Sequence, residues 1–130
     1  MDVRNPYSSD CPTRMVLDRV ADKWAVLVLG LLMDGPVRFN KLRRTVEGIS
    51  QKMLSQTLKG LERDGLVSRK AIATVPVTVE YAITPLGRTL AAAMDALRNW
   101  ADTYMEELIA NQQRYDAGAQ SPREAVDSEG

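Results

Sequence analysis

The sequence predicts a mainly α-helical fold that carries one small β-hairpin. Apolar residues recur at helical spacing in segments that start at capping residues and end at glycine or at Gly-Pro. Between the fourth and fifth helical segments lie two short runs rich in β-branched residues, the pattern of a hairpin. The last helical segment has an apolar stripe that is longer than the rest of a small domain could bury. This stripe indicates a surface for a second chain.

The first three helical segments are short, and residues typical of helix caps and helix ends mark their limits. Pro12 can occupy the first position of a helix that runs to about residue 19 or 20, with Cys11 as its N-cap. Asp22 can cap a second helix over Lys23 to Met33, which meets a Gly-Pro stop. A short third helix is expected over about residues 40–45.

The fourth segment, residues 51–64, has the pattern of a recognition helix. Ser50 can cap it, and Gly65 would end it. On a helical wheel Leu54, Leu58 and Leu61 form a narrow apolar seam, and the long side chains opposite are cations or amides. Such groups can bind base edges and phosphates, although an amphipathic helix with a merely solvated face has the same pattern.

The hairpin follows directly, with strands over about 66–73 and 77–84. Helices followed by a hairpin in this order predict a winged helix-turn-helix, with helix 51–64 in the major groove and the wing, residues 67–83, on the DNA backbone. We expect a partner of double-stranded operator DNA. The predicted DNA contacts are Ser50, Gln51, Lys52, Ser55, Gln56 and Lys59 of the helix, Arg69 and Lys70 of the wing, and Arg38 and Arg43 ahead of the helix.

Charge is distributed unevenly along a chain whose formal net charge is zero. Residues 38–70 contain nine basic side chains against three acidic ones, whereas the flanks are neutral to acidic. A basic middle segment is typical of a nucleic-acid contact surface, although runs of charge are often just solvated faces.

The last helix is expected from Thr84-Pro85 to about residue 110, and it predicts a homodimer. Its apolar residues alternate at spacings of four and three, as in a coiled-coil seam; they are Leu90, Met94, Leu97, Ala101, Tyr104 and Leu108. The first helix, with Met15, could complete the interface. The alternative is that the start of the seam packs only on its own domain. Residues 1–10 are expected to be a flexible arm, residues 11–110 the domain, and residues 111–130 a disordered tail.

Composition excludes several kinds of protein. The chain has no histidine and one cysteine, which removes His-based nucleophilic and zinc sites and any internal disulfide. No phosphate loop or calcium loop is visible, so we expect no cofactor, no metal and no enzyme activity. Its longest apolar run, Ala25 to Met33, is too short to span a bilayer, and the N-terminus lacks signal-peptide character. A cytoplasmic location without membrane partners is expected.

The chain also carries a set of short motifs, Cys11-Pro12, Asp22-Lys23-Trp24, Arg38-Phe39, Ile49-Ser50, Leu61-Glu62, Asp64-Gly65-Leu66-Val67, Val79-Glu80-Tyr81 and Thr84-Pro85-Leu86-Gly87. Together these motifs resemble a known family, the HxlR-type transcriptional regulators. The resemblance covers about residues 11–108 and implies a homodimeric winged-helix regulator that binds a pseudo-palindromic operator. We expect a repressor rather than an activator. One departure is at the wing tip, where Val77 and Thr78 replace the proline and cation common in the family.

Cys11 has two interpretations. A helix N-terminus favours the thiolate, so Cys11 could sense oxidants or a small electrophile, with an aromatic or quinone-like molecule as candidate effector. It could equally be an inert capping residue. For the chain as a whole, the alternatives are a winged protein-interaction module that does not bind DNA and, more remotely, a small enzyme.

Overall fold

The computed structural model describes Asn5, Tyr7, Ser8, Asp10 and residues 12–118, apart from the side chain of Met15. Contacts divide the chain into two compact units, Met1–Met94 and Asp95–Gly130. The elements are α1 (Pro12–Ala21), α2 (Lys23–Leu32), β1 (Val37–Arg38), α3 (Phe39–Thr45), α4 (Gln51–Arg63), β2 (Val67–Ile72), β3 (Thr78–Ile83) and α5 (Pro85–Gly118). This order confirms the predicted mainly helical fold with a small hairpin.

Side-chain caps start α2 and α4, as the sequence predicts. The Asp22 carboxylate accepts hydrogen bonds from the backbone N–H groups of Trp24 at 3.0 Å and Ala25 at 3.4 Å. The Ser50 hydroxyl oxygen accepts from the Met53 N–H at 3.0 Å. Each cap satisfies donors that the first turn of a helix leaves without a partner, and is worth about 1 kcal/mol.

A glycine turn ends α4. Gly65 has a φ of +77°, which favours a residue without a Cβ. Its N–H donates to the Glu62 carbonyl at 3.0 Å, and the Leu66 N–H donates to the Leu61 carbonyl at 2.9 Å. This pair of bonds is the Schellman arrangement, and it directs the chain from the helix into β2.

The core of the first unit lies between α2, α4 and the sheet. The predicted seam of α4 is confirmed, since Leu54, Leu58 and Leu61 are fully buried. Met94 is also in this core, with 5% of its surface exposed, and Leu90 is partly buried against it. Because a side chain buried in its own protomer offers little area to a second chain, the assignment of Met94 to the dimer seam is wrong.

The sheet has a strand that the sequence did not reveal. The three antiparallel strands lie in the order β1-β3-β2, and the two-residue β1 pairs Val37 with Tyr81 and Arg38 with Glu80. A two-residue strand has no periodicity to detect, so sequence patterning predicted only the hairpin.

Helix α5 runs to Gly118, beyond the expected end near residue 110. The predicted disordered tail is therefore wrong for residues 111–118, while residues 119–130 lie outside the described part of the chain. Most of the predicted N-terminal arm lies outside it too, so its flexibility stays a prediction. No helix among the described residues is long and apolar enough to cross a membrane.

One residue, Thr84, joins the wing to α5 and ties both to the end of α4. The Thr84 hydroxyl donates to the Gly65 carbonyl at 2.7 Å and accepts from the Gly87 N–H at 3.0 Å. The Thr84 N–H donates to the Leu66 carbonyl at 3.0 Å. The first turn of α5 is therefore fixed on the turn that ends α4.

Candidate nucleic-acid interface

The turn between α3 and α4 fixes the start of the candidate recognition helix. Leu42, Val46 and Ile49 are buried beneath it, so the backbone of residues 46–50 is held by core packing. Gly48 has a φ of +90°, which makes the tight turn accessible without strain. Two helices joined this way form a helix-turn-helix, in which the second helix enters the major groove.

The outer face of α4 presents the polar side chains that the sequence predicted. Gln51, Lys52, Gln56 and Lys59 are exposed, whereas Ser55 is half-buried at the flank. Neither lysine forms an ion pair with a carboxylate in the described part of the chain. Ser50 is exposed too, but its hydroxyl oxygen is already the helix cap.

An ion pair that sequence reasoning missed fixes the other end of α4. The Arg19 Nε of α1 donates to the Asp64 Oδ2 at 2.7 Å, with both side chains about three-quarters buried. Asp64 directly follows the last residue of α4, and the neighbouring Arg63 is exposed. Because 45 positions separate the partners, no local pattern could have indicated the pair.

The wing presents its two predicted cations on opposite faces. Arg69 lies opposite Tyr81 and Lys70 lies opposite Glu80 in the β2–β3 register. Cross-strand partners share a face of the sheet, and consecutive residues alternate. Arg69 therefore shares the face of the buried Tyr81, whereas Lys70, Glu80 and Arg38 form one row on the other face.

A cavity of about 640 Å³ lies between α3 and the edge of the wing, and we call it the wing groove. Three cations line it, Arg38, Lys41 and Arg44, together with the carboxylate of Glu80. Arg43, which the sequence singled out, is exposed but does not line the groove. The sequence missed Lys41 and Arg44 because the orientation of a helix as short as α3 is set by packing, not by its own pattern.

The second unit contains the exposed part of the predicted dimer seam. Leu97 and Tyr104 are 56% and 45% exposed, and Ala101 and Leu108 are half-buried. Trp100 packs on Tyr104 with ring centroids 5.4 Å apart. Of the other predicted residues, Cys11 and the side chain of Met15 lie outside what the structure describes.

Comparison with known proteins agrees with this geometry. The HxlR-like helix-turn-helix family matches residues 19–109, most of the chain. This chain is a member of the HxlR-like family. The predicted family and winged fold are thus confirmed.

Relatives of this HxlR-like protein are transcriptional regulators. The HTH-type transcriptional regulator YtfH of Escherichia coli is 42% identical over 106 residues, covering 82% of this chain and 84% of YtfH. The solved structure of the regulator YtfH from Salmonella typhimurium has a TM-score of 0.77 at 40% identity, covering 82% of this chain and 96% of that one. The redox regulator HypR in its oxidized form has a TM-score of 0.65 at 38% identity, covering 72% and 96%. The chain is accordingly a transcriptional regulator with a helix-turn-helix DNA-binding fold, and not an enzyme.

Proposed function

We propose that this HxlR-like protein is a homodimeric repressor that binds a pseudo-palindromic operator, with α4 in the major groove and the wing on the backbone. The observation that carries the proposal is the outer face of α4, which lies directly ahead of a cationic wing. Its lysines and amides are exposed, and among the described residues neither lysine has a carboxylate partner. Lys can donate to guanine and Gln can bridge adenine, so these side chains suit a base-reading surface.

The ends of α4 support this orientation. Helix α4 has 13 residues, about 20 Å, and its N-terminal half carries Gln51, Lys52 and Gln56. In helix-turn-helix proteins the N-terminal residues of the recognition helix contact base edges. The Ser50 cap and the Arg19–Asp64 ion pair hold the two ends of this helix, so its side chains are presented on a fixed backbone.

The second unit supports a dimer. Its described residues form a single stretch of α5, with exposed Leu97, Trp100, Tyr104, Met105 and Ile109. The described residues of this unit include no other element that could bury this apolar surface, and a second copy would bury it symmetrically. Two recognition helices about one DNA turn apart would then read two half-sites.

The test of this function is an anisotropy titration with the DNA upstream of the protein's own gene, against a scrambled duplex, at two salt concentrations. We expect tight, salt-dependent binding that prefers the upstream DNA. Lys52→Ala and Gln56→Ala should each weaken operator binding at least tenfold, because each removes a base contact worth about 1–3 kcal/mol from both half-sites. Their thermal unfolding should be unchanged, because both side chains are exposed.

Arg63→Ala is the matched control, since Arg63 is an exposed residue at the far end of the same helix. It should reduce operator and scrambled binding together and by less than Lys52→Ala. Unchanged operator affinity in Lys52→Ala or Gln56→Ala would remove that residue from the base-reading surface. Absence of any salt-dependent duplex binding by the wild type would favour a protein-interaction module.

We further propose that Cys11 makes the repressor responsive to oxidants or to a small quinone-like electrophile. The similarity to HypR, a redox regulator, supports this proposal. A chain with one cysteine can form a disulfide only with a second copy or with a small thiol. The alternative is that Cys11 only caps the first helix.

Cys11→Ser should separate these two roles. A serine caps a helix as well as cysteine does, so we expect unchanged operator affinity and stability. Diamide, which takes two electrons and two protons from a pair of thiols to form a disulfide, should release the wild type from the operator and leave Cys11→Ser bound. An equal response to diamide in both proteins would exclude the sensor role.

A further inference from the structure

The wing groove has the composition of an anion site. Lys41 and Arg44 are three residues apart on α3 and so share one side of that helix, and Arg38 joins them from the end of β1. In the described part of the chain, none of the three forms an ion pair. Three cations face one carboxylate, Glu80, around a cavity of about 640 Å³.

The position of the groove indicates which anion it binds. The first helix of a helix-turn-helix crosses the DNA backbone, and here that helix is α3. The opposite wall is the wing edge, including Val77 and Thr78, and wings also lie on backbone. Arginine and lysine are the side chains that bind phosphate oxygens most strongly.

Glu80 occupies an unusual place for an acid on such a surface. It is the cross-strand partner of Arg38 in β1 and of Lys70 in β2, so it lies between two cations on one face of the sheet. Yet it makes no ion pair with either. A carboxylate that does not hold its neighbours in place acts mainly through its charge, which lowers the positive potential that an approaching phosphate meets.

We propose that the wing groove binds a phosphate of the operator backbone through Arg38, Lys41 and Arg44, and that the carboxylate of Glu80 repels this phosphate and so weakens its binding. The proposal rests on the DNA-binding function proposed above and adds a backbone site to it. Glu80 then limits how tightly the protein binds duplex DNA of any sequence.

Arg44→Gln and Arg43→Gln form a matched pair, because the two exposed arginines are adjacent on α3 and only Arg44 lines the groove. Arg44→Gln should weaken binding to operator and scrambled duplexes alike, roughly threefold to tenfold. The slope of log affinity against log salt should become shallower by about 1.8, the loss of one phosphate contact in each subunit of the dimer. Arg43→Gln should lose less affinity than Arg44→Gln, because Arg43 lies outside the groove. Equal losses in both variants, or a loss only in Arg43→Gln, would overturn the groove assignment.

Glu80→Gln tests this repulsion by the sign of its effect. Removing the carboxylate should tighten binding to both duplexes about threefold and make the salt dependence of binding steeper. If Glu80 instead positioned Arg38 and Lys70, the variant would bind more weakly with a shallower slope, and weaker or unchanged binding would overturn its proposed role. A thermal midpoint within about 2 °C of the wild type shows that the comparison is between folded proteins.

Two further readouts identify the source of a failure. If the wild type shows no salt-dependent duplex binding, the proposed DNA-binding function fails; if Lys52→Ala behaves as expected but Arg44→Gln equals Arg43→Gln, only the groove site fails. Inorganic phosphate, titrated in a thermal-shift assay, tests a free phosphate compound as the ligand. If it stabilised the wild type but not Arg44→Gln, while both bound duplex equally, the DNA assignment would be overturned.

Discussion

Replacing Gly87 with alanine is expected to lower the midpoint of thermal unfolding by about 10 °C. A Cβ at Gly87 would lie 2.1 Å from the Leu66 carbonyl oxygen and 2.7 Å from Ile83 Cγ1. The obstacle is backbone, and its carbonyl already accepts from the Thr84 N–H, so relief requires breaking that bond or shifting α5. Overpacking of this kind costs about 1–3 kcal/mol, and loss of the hydrogen bond adds about 1 kcal/mol.

Circular dichroism melting measures this effect, and its sign is informative. An alanine normally stabilises a helix interior relative to glycine by about 1 kcal/mol, so a stabilised Gly87→Ala protein would contradict the described contact. Gly60→Ala is the matched control. A Cβ there would meet the Arg19 guanidinium at 2.8 Å, the far end of a flexible side chain that can move away. We expect Gly60→Ala to remain within about 1 kcal/mol of the wild type, because the gain in helix propensity offsets the weakened Arg19–Asp64 pair.

Leu97→Glu should convert the protein into monomers and reduce operator affinity at least a hundredfold. In the proposed dimer the side chain is buried on both chains, so each substitution acts twice. Loss of a buried leucine costs about 1.5–3 kcal/mol per chain, before the cost of burying two like charges. A monomer would contact one half-site at a time.

Light scattering after gel filtration gives the mass, and anisotropy gives the operator affinity. Asn99→Glu is the control, since Asn99 is exposed on the opposite side of α5 and the substitution adds the same charge. It should remain dimeric and bind as the wild type does. A Leu97→Glu protein that stayed dimeric would place the interface elsewhere. Because Leu97 is 56% exposed in the protomer, the first unit should remain folded.

Local signals in the sequence predicted much of α4 and the turns around it. Helix α4 was identified by its cap, its closing glycine and three leucines that the structure buries completely. Each of these features acts within a few residues, so each is visible in the chain itself. The family motifs around Gly65 and Gly87 correspond to a turn and a close approach that the structure makes explicit.

What the sequence missed depends on contacts between distant segments. The Arg19–Asp64 pair joins α1 to the end of α4, and β1 exists because Val37 meets Tyr81 of a later strand. Arg43 and Arg44 are equivalent in composition, and only the packing of α3 decides which one lines the wing groove. The end of α5 was misplaced because residues 111–118 are polar and carry no apolar periodicity.

The joint at Thr84 has a consequence for protein engineering. A single residue separates β3 from α5, and its backbone and hydroxyl are bonded to Gly65, Leu66 and Gly87. The connection is therefore too short and too firmly hydrogen-bonded to adjust to a foreign helix joined at this point. A chimera that joined the first unit to the long helix of another regulator would have to take the Thr84–Gly87 segment and the Gly65–Leu66 turn from the same parent. The junction between the two parents should therefore lie farther along α5.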